Sequence, residues 1–230
     1  MTRIERKKAS SQIRRPWMIM MRKTITSVVC LAALVVLAGC MGRVRRPTYY
    51  TLNLPAPLDP PAGENAHSTL AIREFRAPAY LRQGSIVYKT SPEQIGFYAY
   101  HRWAVDPRAF VTNSIIDNVR ASGAFAQVRS YDGSRAADYL LSGHLEKLEE
   151  IDYQGGIKVQ VAMSAEMSSL TTGAVVWSNA VSEIGDVSTH DVSAVVSEMD
   201  RTMQRAIEKL VMPLSADWRA GKISGQKNPQ

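Results

Sequence analysis

The patterning of this sequence predicts an α+β domain, an antiparallel β-sheet with two main helices packed on one face. Three observations carry that prediction. Long alternating segments at Ala137–Tyr153, Ile157–Leu170 and Ala174–Asp186 follow one another through short Gly- and Thr-containing turns. Apolar residues at helical spacing mark two further stretches, one after Asp106 and one after Asp191. The balance, 45% hydrophobic and 21% charged residues in a chain of 230 with two Cys, is that of a globular protein long enough to bury a core. Wholesale disorder, collagen-like repeats and disulfide-stapled miniproteins are excluded on the same grounds.

In chain order, residues 1–39 read as a secretory signal. They hold eight basic residues and one acid, followed by an 11-residue apolar run, Val28–Ala38. That run is short against the roughly 20 residues of a spanning helix. The uncharged stretch Thr24–Gly42 reaches 19 residues, so an uncleaved anchor is the competing reading. The ending favours cleavage: Leu37-Ala38-Gly39-Cys40 resembles the lipobox of bacterial lipoproteins. In that motif the thiol receives a diacylglycerol and cleavage follows before the Cys. Cys40 is therefore the expected lipidation site, carrying a covalent diacylglycerol and an N-acyl chain, and no other cofactor is expected. Cys30 leaves with the signal, so neither a disulfide nor a Cys-based metal site is expected in the mature chain. Arg14-Arg15 is a weak twin-arginine signal beside Pro16. Met21-Arg22-Lys23 would begin a signal of ordinary length, so translation is expected to start at Met21, or at Met18 or Met20; otherwise residues 1–20 form a long basic region.

The net charge of +7 belongs to this leader, because 20 basic and 20 acidic residues remain from Cys40 onward. A neutral body is not a phosphate-gripping one, and no nucleic-acid partner is expected. Residues 40–47 form a short tether, at most about 25 Å when extended. Met41 stands where Asp would retain many lipoproteins in the inner membrane. The resemblance to lipoproteins therefore implies the periplasmic face of the outer membrane, held through the lipid anchor.

Residues 48–216 form the expected domain. Thr48–Leu54 alternates as a strand, and Pro55–Pro61 is an extended linker. Thr69–Phe75 alternates again, and Ser85–Thr90 and Ile95–Trp103 pair around Ser91-Pro92-Glu93. Asp106-Pro107 starts a helix, with Asp as its cap and Pro at its first position. Phe110, Val111, Ile115, Ile116 and Val119 form the apolar stripe of that helix, and Gly123 ends it. A short strand, Phe125–Ser130, precedes the three long ones. Gly155-Gly156 suits the positive φ of a tight turn between the first two of these. The second helix is expected over Asp191–Leu214, its stripe running from Val192 to Val211. Residues 217–230 are polar and expected to be a flexible tail.

Chemistry-bearing motifs are sparse. His67, His101, His144 and His190 show no metal-ligand spacing, and the sequence has no nucleophile elbow, P-loop or dinucleotide motif. Glu146, Glu149, Glu150 and Asp152 read as a solvated strand face around Lys147, and Met163, Met167, Met199 and Met203 as core. No catalytic residue, bound metal or enzymatic activity is expected. One segment stands out: Tyr98, Tyr100, Arg102 and Trp103 concentrate the residue types that anchor interfaces, ahead of a capped helix. Both a partner interface and an edge seal of the core with Arg102 paired to an acid fit this pattern.

The pieces Cys40, Tyr49-Tyr50-Thr51-Leu52, Leu70-Ala71-Ile72-Arg73-Glu74-Phe75, Pro78-Ala79-Tyr80-Leu81, Ile86-Val87-Tyr88 and Tyr100-His101-Arg102-Trp103 occur in that order. The Pro107 helix with Gly123-Ala124-Phe125 and then Ala137-Asp138-Tyr139-Leu140-Leu141-Ser142-Gly143 follow. Together they resemble the ABC-type transport auxiliary lipoprotein family, the group that includes the paraquat-inducible intermembrane transport lipoprotein. The resemblance implies an outer-membrane-anchored auxiliary component of an ABC-type intermembrane lipid-transport system. Its implied partner is a mammalian-cell-entry (MCE) domain protein, and its implied assembly a homo-oligomeric ring. An adaptor or assembly lipoprotein for an outer-membrane β-barrel complex is the alternative, and a periplasmic hydrolase a third class.

Overall fold

The computed structural model describes Met21, Ser27, Val28 and residues 45–54, 67–134, 136–153 and 155–223. The chain divides into two units, residues 1–45 and 46–230. In the first, Met21, Ser27 and Val28 have helical backbone. The lipobox, Cys40 and most of the tether lie outside the described residues, as does the end of the tail beyond Ile223.

In the second unit the strands are β1 (Thr48–Tyr50), β2 (Thr69–Ile72), β3 (Ser85–Lys89), β4 (Ile95–Trp103), β5 (Gln127–Ser130), β6 (Tyr139–Ile151), β7 (Ile157–Ser169) and β8 (Val175–Val187). The helices are α1 (Pro107–Ala121) and α2 (Val192–Arg219), and a 3₁₀ turn spans Ala79–Gln83. The strands form one eight-stranded sheet, so the chain has the α+β class that its patterning predicts.

The expectation of an antiparallel sheet needs correction: the sheet is mixed. Its antiparallel part is β6–β7–β8, turned at Gly155 (φ 76°), together with the β3–β4 pair. The other edge of β6 is shared end to end by β2, paired at Tyr139–Leu141, and β3, paired at Glu150 and Ile151, both parallel to it. Between them the Arg76–His144 bridge continues the same parallel edge. β5 lies parallel to β2, and β1 parallel to β4. Parallel pairs need long crossovers, here through α1 and the 73–84 excursion. Alternation along a strand is the same in either pairing mode, so local patterning does not carry strand direction.

Both helices bury their stripes in one core. Val111, Ile115 and Val119 of α1 and Met199, Met203, Ala206, Ile207 and Leu210 of α2 join Val159, Val161, Met163 and Met167 of β7. The Asp106 side chain accepts a hydrogen bond from the Arg108 amide at 2.9 Å, capping α1 as the sequence predicts. A bulge between Leu145 and Lys147 lets both Leu145 and Leu148 face the core.

The flexible tail expected from Asp217 is corrected over its described part. α2 continues past Leu214 to Arg219, and Trp218 and Ile223 are buried in the core. Trp218 stacks on Phe125 at 4.6 Å and meets Tyr139 edge-on at 4.9 Å. Pro213 sits inside the helix and supplies no N–H for the Lys209 carbonyl one turn back. Asn179 of β8 donates its side-chain amide to that carbonyl at 3.3 Å, which lets the helix run on.

Candidate functional site

The candidate interface lies on β4, whose pairing decides which side chains it offers. Val87 of β3 opposes Phe97, whereas Ser85, two residues earlier, opposes Arg102. The extra residues on β4 break its alternation between Tyr98 and His101 and split the predicted quartet.

Tyr98 and Trp103 turn inward. Trp103 is 6% exposed and belongs to the core, with its backbone N–H donating to the Gly84 carbonyl at 2.8 Å. Tyr98 packs against the core and lies 5.0 Å from the Tyr88 ring and 5.7 Å from His101. Its hydroxyl donates to Glu150 Oε2 at 2.8 Å. Burial, followed by that hydrogen bond, pushes the Tyr98 hydroxyl far above its ordinary value, so it stays a donor at all ordinary pH. His101 Nδ1 and the Tyr50 hydroxyl share a 3.0 Å hydrogen bond, joining β1 to the same aromatic row.

Tyr100 and Arg102 turn outward. Tyr100 is 44% exposed and Arg102 is exposed. Among the described residues Arg102 forms no ion pair, so the acid partner allowed for in the edge-seal reading is not observed there. Tyr49, the register partner of Arg102, is 61% exposed, and Ile95, Phe97 and Val105 are exposed apolar side chains of the same segment. The structure thus brings Tyr100 and Arg102 together with Tyr49, Ile95 and Phe97, which sequence reasoning missed. The signal for Ile95 and Phe97 was their place at alternate positions of the strand just ahead of Tyr98.

The acidic cluster also differs from expectation. Glu146 and Asp152 are exposed, but Glu149 and Glu150 are 2% and 4% exposed. Burial raises both carboxyls above the usual range; Lys89, 3.8 Å from Glu149, and the Tyr98 hydroxyl on Glu150 oppose the shift. These are structural carboxylates wedged where β3 joins β6. Of the histidines, His67 and His190 are exposed, while His144 is half-buried with its Nδ1 lacking a hydrogen-bond partner. Among the described residues, no group of three or more His, Cys, Asp or Glu converges in a way that could hold a metal.

The fold is shared. Protein XCC0632 from Xanthomonas campestris superimposes with a TM-score of 0.65 at 17% identity, over 76% of this chain and 99% of that one. A second solved structure, of an uncharacterized protein, gives 0.57 at 15% identity, over 74% and 99%. At such identities the likeness establishes the fold. No curated protein matches. The profile described as ABC-type transport auxiliary lipoprotein component matches residues 50–211, from the end of β1 into the last turns of α2. The chain belongs to the ABC-type transport auxiliary lipoprotein family.

Proposed function

We propose that this chain is held on the periplasmic face of the outer membrane by acylated Cys40 and serves there as the auxiliary component of an ABC-type, MCE-containing intermembrane lipid-transport system. The family match over residues 50–211 carries the reading, since it joins transport and lipoprotein character in one domain. The Leu37-Ala38-Gly39-Cys40 sequence supports the anchor, because two or three acyl chains at about 0.8 kcal/mol per buried CH₂ hold a protein firmly. The domain acts by docking. An MCE-domain protein is the partner, met by copies of this chain arranged as a ring. Tyr100 and Arg102 contribute to the docking surface, with Tyr49 and Phe97 beside them.

The test is in-cell crosslinking, affinity purification through a C-terminal tag and mass spectrometry. Recovery of an MCE-domain protein at high stoichiometry is the expected result. Recovery only of β-barrel assembly components would move the function to an adaptor. Tyr100→Ala and Arg102→Ala are expected to fold with unchanged thermal midpoints and to reduce MCE recovery at least several-fold. Unchanged recovery in both would remove β4 from the interface.

A further inference from the structure

Of the outer strands of the sheet, β8 is the long one. β1 and β5 end the sheet elsewhere with three and four residues, whereas β8 runs for 13 and, among the described residues, pairs only with β7. Its second edge therefore carries alternate N–H and C=O groups with no strand beside them, a template for pairing that folded proteins ordinarily blunt. Little blunts it here. Val175–Ser182 contains no charge and no Pro, and β-branched or aromatic residues hold four of its eight positions, a composition that favours strand pairing. The one register irregularity, beside Met167 and Ser168, lies at the very start of β8.

The side chains of β8 fit one particular neighbour. Asn179, Glu183 and Gly185 face α2, through the Lys209 carbonyl, the Lys209 ammonium and the Glu198–Thr202 pair. The alternate positions, Ser178, Ala180 and Ser182, face away from the helices and are exposed. Ile184 continues this row at one end and is 51% exposed; Val175, in register with Ser168, ends it at the other and is 57% exposed. A second copy laid antiparallel, with Ala180 opposite its own counterpart, sets Ser178 against Ser182. It also brings each Ile184 beside the Val175–Val176 end of the other copy, so the two exposed apolar ends cover one another twice. No like charges meet in that register, since Glu183 falls opposite Trp177 and Asp186 reaches past the end of the other strand. The cations of α2 that overhang β8 are already engaged within the chain, Lys209 and Arg205 with Glu183 at 2.6 and 4.0 Å and Arg205 with Glu198 at 3.1 Å. Length selects the same partner: β1 or β5 of a neighbour would cover less than a third of this edge.

We propose that β8 is a self-association edge, at which two copies of this chain pair β8 to β8 about a two-fold axis through Ala180. Their sheets join into one continuous sheet, with both α2 helices on the same face. The contact closes on itself as a dimer and uses no residue of β4. It stands apart from the docking surface, and any ring is closed through other surfaces.

The test puts a single cysteine on the axis of the full acylated chain, with the parent run alongside to account for any crosslink through Cys40. Residues directly opposed in an antiparallel ladder have Cα atoms about 4.5–5.5 Å apart, within disulfide reach. Ala180→Cys is expected to give a disulfide-linked dimer of this chain in the oxidising periplasm, identified by mass spectrometry. Ser178→Cys and Ser182→Cys each lie roughly 14 Å from their own counterparts, so they should crosslink only when combined in one chain. Sedimentation equilibrium in detergent supplies the second arm. Ala180→Lys sets two ammonium groups against each other on the axis and should weaken the dimer about tenfold or more, with an unchanged circular dichroism spectrum. Ala180→Ser, which adds no charge, should leave the dimer intact. The pairing is overturned by a parent that sediments as a monomer throughout, or by self-association that Ala180→Lys leaves unchanged. Failure of Ala180→Cys to crosslink, stronger crosslinking at position 178 or 182 alone, or capture of a different protein at position 180 overturns it equally.

Discussion

Replacing Trp218 by alanine tests whether the last turns of α2 are structural. The side chain is 3% exposed, stacked on Phe125 and edge-on to Tyr139. An aromatic side chain buries roughly 150–250 Å², which at about 25 cal/mol per Å² is worth about 4–6 kcal/mol. Residual compactness of the unfolded chain lowers this by roughly 10–40%, leaving about 3–5 kcal/mol, the range seen when buried Trp or Phe is cut to Ala. Domains are stable by only about 5–15 kcal/mol, so this is a large fraction of the total. With a urea m-value of about 2–3 kcal/mol/M, the unfolding midpoint should fall by roughly 1–2 M. Trp218→Phe keeps a ring against Phe125 and should lose less than half as much. Equilibrium unfolding followed by circular dichroism measures both. If Trp218→Ala lies within about 1 kcal/mol of the parent, the burial of this helix end does not contribute as argued.

Three further perturbations follow from the same packing. Gly143→Ala would place a methyl within the Phe75 ring, which is fully buried, on a backbone tied by its N–H to the Thr112 hydroxyl; calorimetry should show a loss of about 1–3 kcal/mol. Asn179→Ala should cost about 0.5 kcal/mol by removing a solvent-exposed hydrogen bond to the Lys209 carbonyl, and less in a Pro213→Ala background, where the helix supplies its own N–H; equal costs in a double-mutant cycle would refute the compensation. Glu150 titrates above its ordinary value of about 4.3, so between that value and its raised folded value the native state holds a proton that the unfolded chain has lost. Stability therefore falls as pH rises through this window and stays lower above it. Relative to Glu150→Gln, which still accepts from Tyr98, the parent should lose stability from pH 4 to 7 in urea melts, and a relative gain would contradict the direction.

The parts of this fold legible in the sequence are those set by neighbours along the chain. Asp106-Pro107, the stripe from Val111 to Val119, the Gly155-Gly156 turn and the alternation of β7 each encode a local geometry, and each is found in place. What was not legible depends on partners far along the chain. Glu149 and Glu150 look solvated until β3 is laid beside them, and Trp218 looks like tail until Phe125 and Tyr139 meet it. The candidate interface shows the same limit at one strand. Strict alternation would put Tyr98, Tyr100 and Arg102 on one face and Trp103 on the other. The slip against β3, fixed by where Ser85 and Val87 pair, instead groups Tyr98 with His101 and Trp103 and sends Tyr100 and Arg102 outward. The four residues therefore cannot be tested as one site. Tyr98→Ala and Trp103→Ala remove packing and the Glu150 hydrogen bond, so their effect on any partner is mixed with a lower melting midpoint. Only Tyr100→Ala and Arg102→Ala, expected to leave that midpoint unchanged, can isolate docking. A melting loss of several degrees in either would mean that the outward pair, too, serves the fold.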